Sequence, residues 1–184
     1  MAAVATLILL LTVSIAGAEE ALLRNPSFED PMDPVNAQCD IAAAWIRWGQ
    51  WMNRETGWFP TKTGDCLVGY HHWKINGPEN SGFAQDVPEA QGGKYYTFSI
   101  YTYLDPGTDA QEIKVRMEGY HGGATLITQT YSVKALKPGE WVPLSAAAVA
   151  PSGGIRVIVF VEPKKKGDRR GAIKFDDASL EASN

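Results

Sequence analysis

From Tyr95 to Leu104 the chain reads YYTFSIYTYL, in which Tyr96, Phe98 and Ile100 alternate with Tyr95, Thr97, Ser99, Tyr101 and Tyr103. The segment Ile113 to Tyr120, IKVRMEGY, repeats the pattern, with Ile113, Val115 and Met117 on one side and Lys114, Arg116 and Glu118 on the other. A period of two with one oily and one polar face predicts antiparallel strands packed on one side only. Further strands are predicted at Ala124 to Tyr131, Trp141 to Ala148, Ile155 to Glu162 and Ala172 to Leu180. The turns between them are read from VPEAQGGKYY, LDPGTD, LKPGE and APSGGI, where Gly, Pro and Asp cluster. No stretch beyond Ala18 sustains a helical apolar period for more than about two turns. The pattern predicts an all-β sandwich of two antiparallel sheets, without internal repeats.

The apolar run from Val4 to Ile15 is too short for a comfortable membrane span, and Ala16-Gly17-Ala18 after it has the small-residue pattern of a cleavage site. Residues 1–18 are therefore expected to be a signal peptide, and 19–184 one secreted domain, extracellular or periplasmic, with no span after cleavage. No Lys or Arg precedes the run, which leaves an uncleaved anchor as the alternative. The composition, 45% apolar and 21% charged, is globular, and a net charge of −4 argues against nucleic acid as principal partner. In an oxidising compartment Cys39 and Cys66 are expected to pair, closing a loop of about 27 residues and adding roughly 3–4 kcal/mol. The alternative is two separate buried thiols.

The opening LLRNPSFED and the closing IKFDDASLE bracket FAQDVPEAQGGKYYTFSIYTYL and GEWVPLSAAAVAPSGGIRVIVFVE. In order and spacing these resemble the carbohydrate-binding modules of the galactose-binding-domain-like jelly-roll class, in particular the families four and nine group. The resemblance implies a jelly-roll β-sandwich that binds polysaccharide or oligosaccharide without altering it, often beside a separate glycoside hydrolase or in a cell-surface assembly. It also implies a structural calcium that ties an opening first strand to the last one, held by the acid of the opening motif, Glu29, and an acid of the closing one, Asp176, with Asp177 as alternate. Calcium takes several hard oxygen ligands, and carboxylates from remote segments can supply them.

The stretch AAAWIRWGQWMNRETGWFP, residues 42–60, holds four of the six tryptophans. The resemblance implies that Trp45, with Trp48, lies in or against the sandwich, and that Trp141 holds a structural position in the core. Trp51 and Trp58 fall among Asn, Arg, Glu, Thr and Gly, which reads as a polar loop, and rings there serve either to stack a sugar or to close the sandwich end. In GYHHWK, an inward Leu67 would carry Gly69, His71 and Trp73 with it and turn Tyr70 and His72 outward. Tyr70, His72 and Trp73 join the candidates. A second candidate surface is a sheet face combining Tyr101 and Tyr103 with Arg116 and Glu118, into which the resemblance implies that Gln85 donates. The run EPKKKGDRRG reads as a solvated loop tip, the alternative being attraction to an acidic polysaccharide.

Glycoside hydrolysis needs two carboxylates facing each other across a cleft, and no acid here sits in a recognisable catalytic context. Neighbouring His71 and His72 would point to opposite sheet faces, which opposes a three-histidine metal site with His121. A secreted adhesion module that binds protein remains the alternative to a sugar binder, since exposed aromatics with arginine serve either ligand.

Overall fold

Alternation lays down the long strands. The computed structural model describes residues 21–31, 41–57, 60–71, 80–164 and 171–183. Ten strands run through these residues: β1 (Ile46–Trp48), β2 (Met52–Thr56), β3 (Cys66–Tyr70), β4 (Ser81–Val87), β5 (Tyr95–Leu104), β6 (Glu112–Gly119), β7 (Thr125–Ser132), β8 (Trp141–Val149), β9 (Ile155–Glu162) and β10 (Ile173–Ser183). A single 3-10 turn, Val133–Ala135, links β7 to β8. No helix among the described residues is long and apolar enough to cross a membrane.

The strands form two five-stranded antiparallel sheets, ordered β1-β4-β9-β6-β7 and β2-β3-β10-β5-β8. Between them lies the core, filled by Phe98 and Ile100 of β5, Ile113, Val115 and Met117 of β6, Val157 and Val159 of β9, and Phe175 of β10, all fully buried. The alternation read in β5 and β6 therefore points as predicted. Because β5 lies in the second sheet and β6 in the first, however, their polar sides look in opposite directions.

Three local features differ from the sequence reading. The supposed loop after Trp51 contains β2, which pairs with β3 in register Arg54↔Val68, so its polar residues line a strand. The opening residues 21–31 form bends rather than a strand. They dock nonetheless: the Gln85 side-chain amide donates to the Arg24 carbonyl and accepts from the Arg24 amide, both at 2.8 Å, as a neighbouring strand would. Trp141 does not reach the core, and its ring packs outside β8 at 5.5 Å from Tyr103. At the free border of the second sheet, β8 carries Pro143 opposite Tyr101.

Candidate functional site on the outward face of the first sheet

The strand β9, IRVIVFVE, is apolar on both sides, as a central strand covered on both faces must be. Its inward residues Ile155, Val157, Val159 and Val161 join the core, whereas Ile158 and Phe160 form a separate apolar cluster on the outside with Ala84, against which Trp48 packs. Register explains the grouping. One row across the sheet runs Trp48, Gly82, Phe160, Lys114, Thr130, and the next runs Ile46, Ala84, Ile158, Arg116, Thr128.

Gly82 makes this row possible. A Cβ there would meet Trp48 Cζ2 at 2.4 Å and the Val159 carbonyl oxygen at 2.5 Å, so the indole lies directly over glycine backbone. The ring stands 6.1 Å from Phe160, tilted by 50°, and its N–H donates to Asn80 Oδ1 at 3.1 Å. Lys114 and Arg116 arch over Phe160 at 5.6 and 4.9 Å from the ring centroid. Phe160 is thereby covered, while Trp48 remains partly exposed. Gly82→Ala is expected to dislodge Trp48 and strain β9, so that ligand retention and melting temperature fall together in an affinity gel and a thermal melt.

Charges on this face are paired. Lys114 lies 3.3 Å from Glu162 and 3.6 Å from Glu112, Arg116 lies 3.1 Å from Glu118 and also donates to Thr128, and Arg156 bonds both Asp86 oxygens at 2.9 and 2.7 Å. Burial opposes the charged form of Asp86, but the Arg156 hydrogen bonds and charge, helped by His121, hold its carboxyl below the usual value. A depressed folded-state value means that the pair stabilises the fold above the ordinary carboxylate pKa, and that this contribution is lost as pH falls through the depressed one. Asp86→Asn is expected to cost about 1.5–3 kcal/mol near neutral pH and to flatten the acid limb, measured by urea unfolding across pH. One flat ring among fixed donors and acceptors can hold a pyranose: its C–H face lies on the indole and its hydroxyls meet the charged rim.

The sequence candidates are scattered by the fold. Trp51 is 6% exposed and belongs to the core, so it is no platform. Trp58, His72 and Trp73 lie outside the described residues. Tyr70 is 3% exposed and faces inward with Val68, the reverse of the predicted phase, because Leu67 and Gly69 take the outer side, where Glu55 fills the space above Gly69. Gln85 is 1% exposed and committed to Arg24, so it donates into no groove. Tyr101 and Tyr103 lie on the outer face of the second sheet, beneath Lys62 at 4.5 Å and Lys174 at 4.9 Å respectively. Arg116 lies on the outer face of the first, so the expected groove of Tyr101, Tyr103 and Arg116 would span opposite sides of the sandwich. Sequence reasoning missed Trp48 with Phe160 as a pair. The available signal was the doubly apolar β9, whose outward Ile158 and Phe160 need a covering neighbour.

The acids expected to hold calcium come to one loop, Thr61 to Cys66, where the Glu29 and Asp176 carboxylates accept backbone amides. Glu29 Oε1 takes those of Asp65 and Cys66, both at 3.1 Å, and Asp176 Oδ2 takes those of Lys62 and Thr63 at 2.8 and 3.2 Å. Asp176 Oδ1 accepts the Asp177 amide at 2.7 Å, and Asp177 accepts the Thr63 hydroxyl. Burial pushes the Asp176 carboxyl up to about 6, against these amides, which favour its charged form. Among the described residues no three His, Cys, Asp or Glu side chains form a group that could hold a metal ion. As bonded here, these acids do not fit a calcium shell. Cys66 is a free thiol whose Sγ accepts from Arg54 Nη2 at 2.8 Å, and Cys39 lies outside the described residues.

No protein family and no curated protein matches the chain. Solved structures do. A family-61 carbohydrate-binding module in complex with β-1,4-galactotriose is similar at 18% identity and a TM-score of 0.60, over 89% of this chain and 99% of that one. The xylan-binding domain, of module family 22, from Paenibacillus barcinonensis is similar at 15% identity and 0.51, over 85% and 90%. An arabinose-bound α-L-arabinofuranosidase is similar at 15% identity and 0.62, over 88% of this chain and 26% of the enzyme. The chain thus has the jelly-roll β-sandwich fold of carbohydrate-binding modules.

Proposed function

We propose that this chain is a secreted, non-catalytic module that binds polysaccharide on the outward face of the first sheet, where it could bring a separate glycoside hydrolase to its substrate. The observation that carries the proposal is Trp48, held partly exposed over Gly82 beside Phe160, whose own ring lies under Lys114 and Arg116, with Glu162 paired to Lys114. An apolar plate with a hydrogen-bonding border is what a sugar ring requires, and the second hydrophobic cluster lies apart from the core. Two of the similar modules are described with β-1,4-galactotriose and with xylan, which makes soluble β-1,4-galactan and xylan the first ligands to try.

Affinity electrophoresis in those polysaccharides, with a parallel assay for released reducing sugar, tests the reading. Retardation without sugar release is expected. Release would make the chain an enzyme, and retention by a protein bait but by no glycan would make it an adhesin. Tyr103→Ala is expected to leave retardation unchanged, because Tyr103 faces away from Trp48 on the other sheet. Loss of retardation in that variant would transfer the site to the Tyr103 and Trp141 face.

A further inference from the structure

We infer that the guanidinium of Arg54, rather than a calcium ion, is the resident cation of the clasp that ties the opening segment to β3 and β10. A calcium shell in such a place would need about six to eight inward-turned oxygens, main-chain carbonyls among them. Here those of Phe28 and Glu29 accept from Arg54 Nε at 2.7 Å and Nη2 at 2.6 Å. The same guanidinium reaches Cys66 Sγ, so one side chain of β2 holds the opening segment and the start of β3 together.

The loop is turned the wrong way for a metal. Lys62 and Thr63 aim their amides at Asp176, and Asp65 and Cys66 aim theirs at Glu29. Successive N–H groups around a concavity make a nest for anions, with the loop supplying donors where a calcium site must supply acceptors. Gly64 sits between the two pairs at φ +59°, the left-handed conformation such a nest uses, and a Cβ there would meet Glu29 Oε1 at 2.2 Å. Carbonyls face a guanidinium and carboxylates face amides, so both halves of a calcium's work are done by the chain.

Thermal unfolding of the full chain in chelator, in calcium and in magnesium tests this. One melting temperature in all three is expected. A calcium at a hundred times its dissociation constant would raise it by roughly 5–10 °C in a domain of this size, and such a rise in the wild type overturns the inference. Arg54→Met is expected to melt roughly 5 °C or more below the wild type in every buffer, with Arg54→Lys in between. An Arg54→Met protein that melts with the wild type also overturns it. Should that variant fail to fold, the wild-type comparison decides alone. None of these readouts involves a glycan, so the clasp and the proposed sugar site stand or fall separately.

Discussion

Trp48→Ala is expected to abolish retardation of the chain in any polysaccharide gel that retards the wild type. A sugar ring stacked on the indole removes on the order of 100 Å² of apolar surface from water, which with the ring's own contribution amounts to about 2–3 kcal/mol, a roughly 30- to 150-fold loss of affinity. Stability should change far less, because Trp48 stands on the outer side of a three-residue strand and its contacts are Gly82, Phe160 and Asn80 rather than the interior. Trp48→Phe, which keeps a smaller plate and loses the N–H bond to Asn80, should fall between. Affinity gels report the first quantity and thermal melts the second. A Trp48→Ala protein retained like the wild type, with an unchanged melt, would remove this face from consideration.

The second large effect is structural. Trp45→Ala is expected to destabilise the fold by about 3–5 kcal/mol and to lower the melting temperature by roughly 10–15 °C. Trp45 is fully buried and packs 5.2 Å from Phe28 and 5.5 Å from Phe83, which in turn meets Phe175 at 5.5 Å. Its indole N–H donates to the Asn25 carbonyl at 2.9 Å. The opening segment and β4 thus meet at this ring, with β10 behind Phe83, and alanine would leave a void and remove one of the two hydrogen bonds to the Asn25 carbonyl, which also accepts the Phe28 amide at 3.2 Å. Trp45→Phe keeps most of the packing and should recover more than half of the loss. An alanine variant melting within a few degrees of the wild type would show that the opening segment is held by Gln85 and Arg54 without it.

Inside and outside were readable from sequence wherever a strand alternates: Ile113, Val115 and Met117 point inward, and Ile155–Glu162 has the predicted bounds. Which sheet a strand joins was not readable. Period-two patterning encodes the facing of a residue relative to its own strand and carries no information about the partner strand. In this topology the chain crosses between sheets from β5 to β6 and again from β7 to β8, β9 and β10 in turn, so residues close in sequence end on opposite sides of the molecule. The candidate groove of Tyr101, Tyr103 and Arg116 was lost for that reason. The site itself was hidden for another. Trp48 becomes a platform only because Gly82, 34 positions later, leaves room beneath it, and a glycine in SGFAQDV announces no such contact in advance. Trp51 misled through its company: its neighbours Asn53, Arg54 and Glu55 are polar, yet they belong to a strand, and the ring itself turns into the interior.

Pro143 is the third residue of β8, one border strand of the second sheet, and a proline has no amide hydrogen to offer a newcomer. At the opposite border of the first sheet, β1 is only three residues long. Crowded copies of the chain would therefore find little on which to extend a common ladder at these two margins, and any fusion of sheets between copies would have to begin at the other borders, β2 and the eight-residue β7.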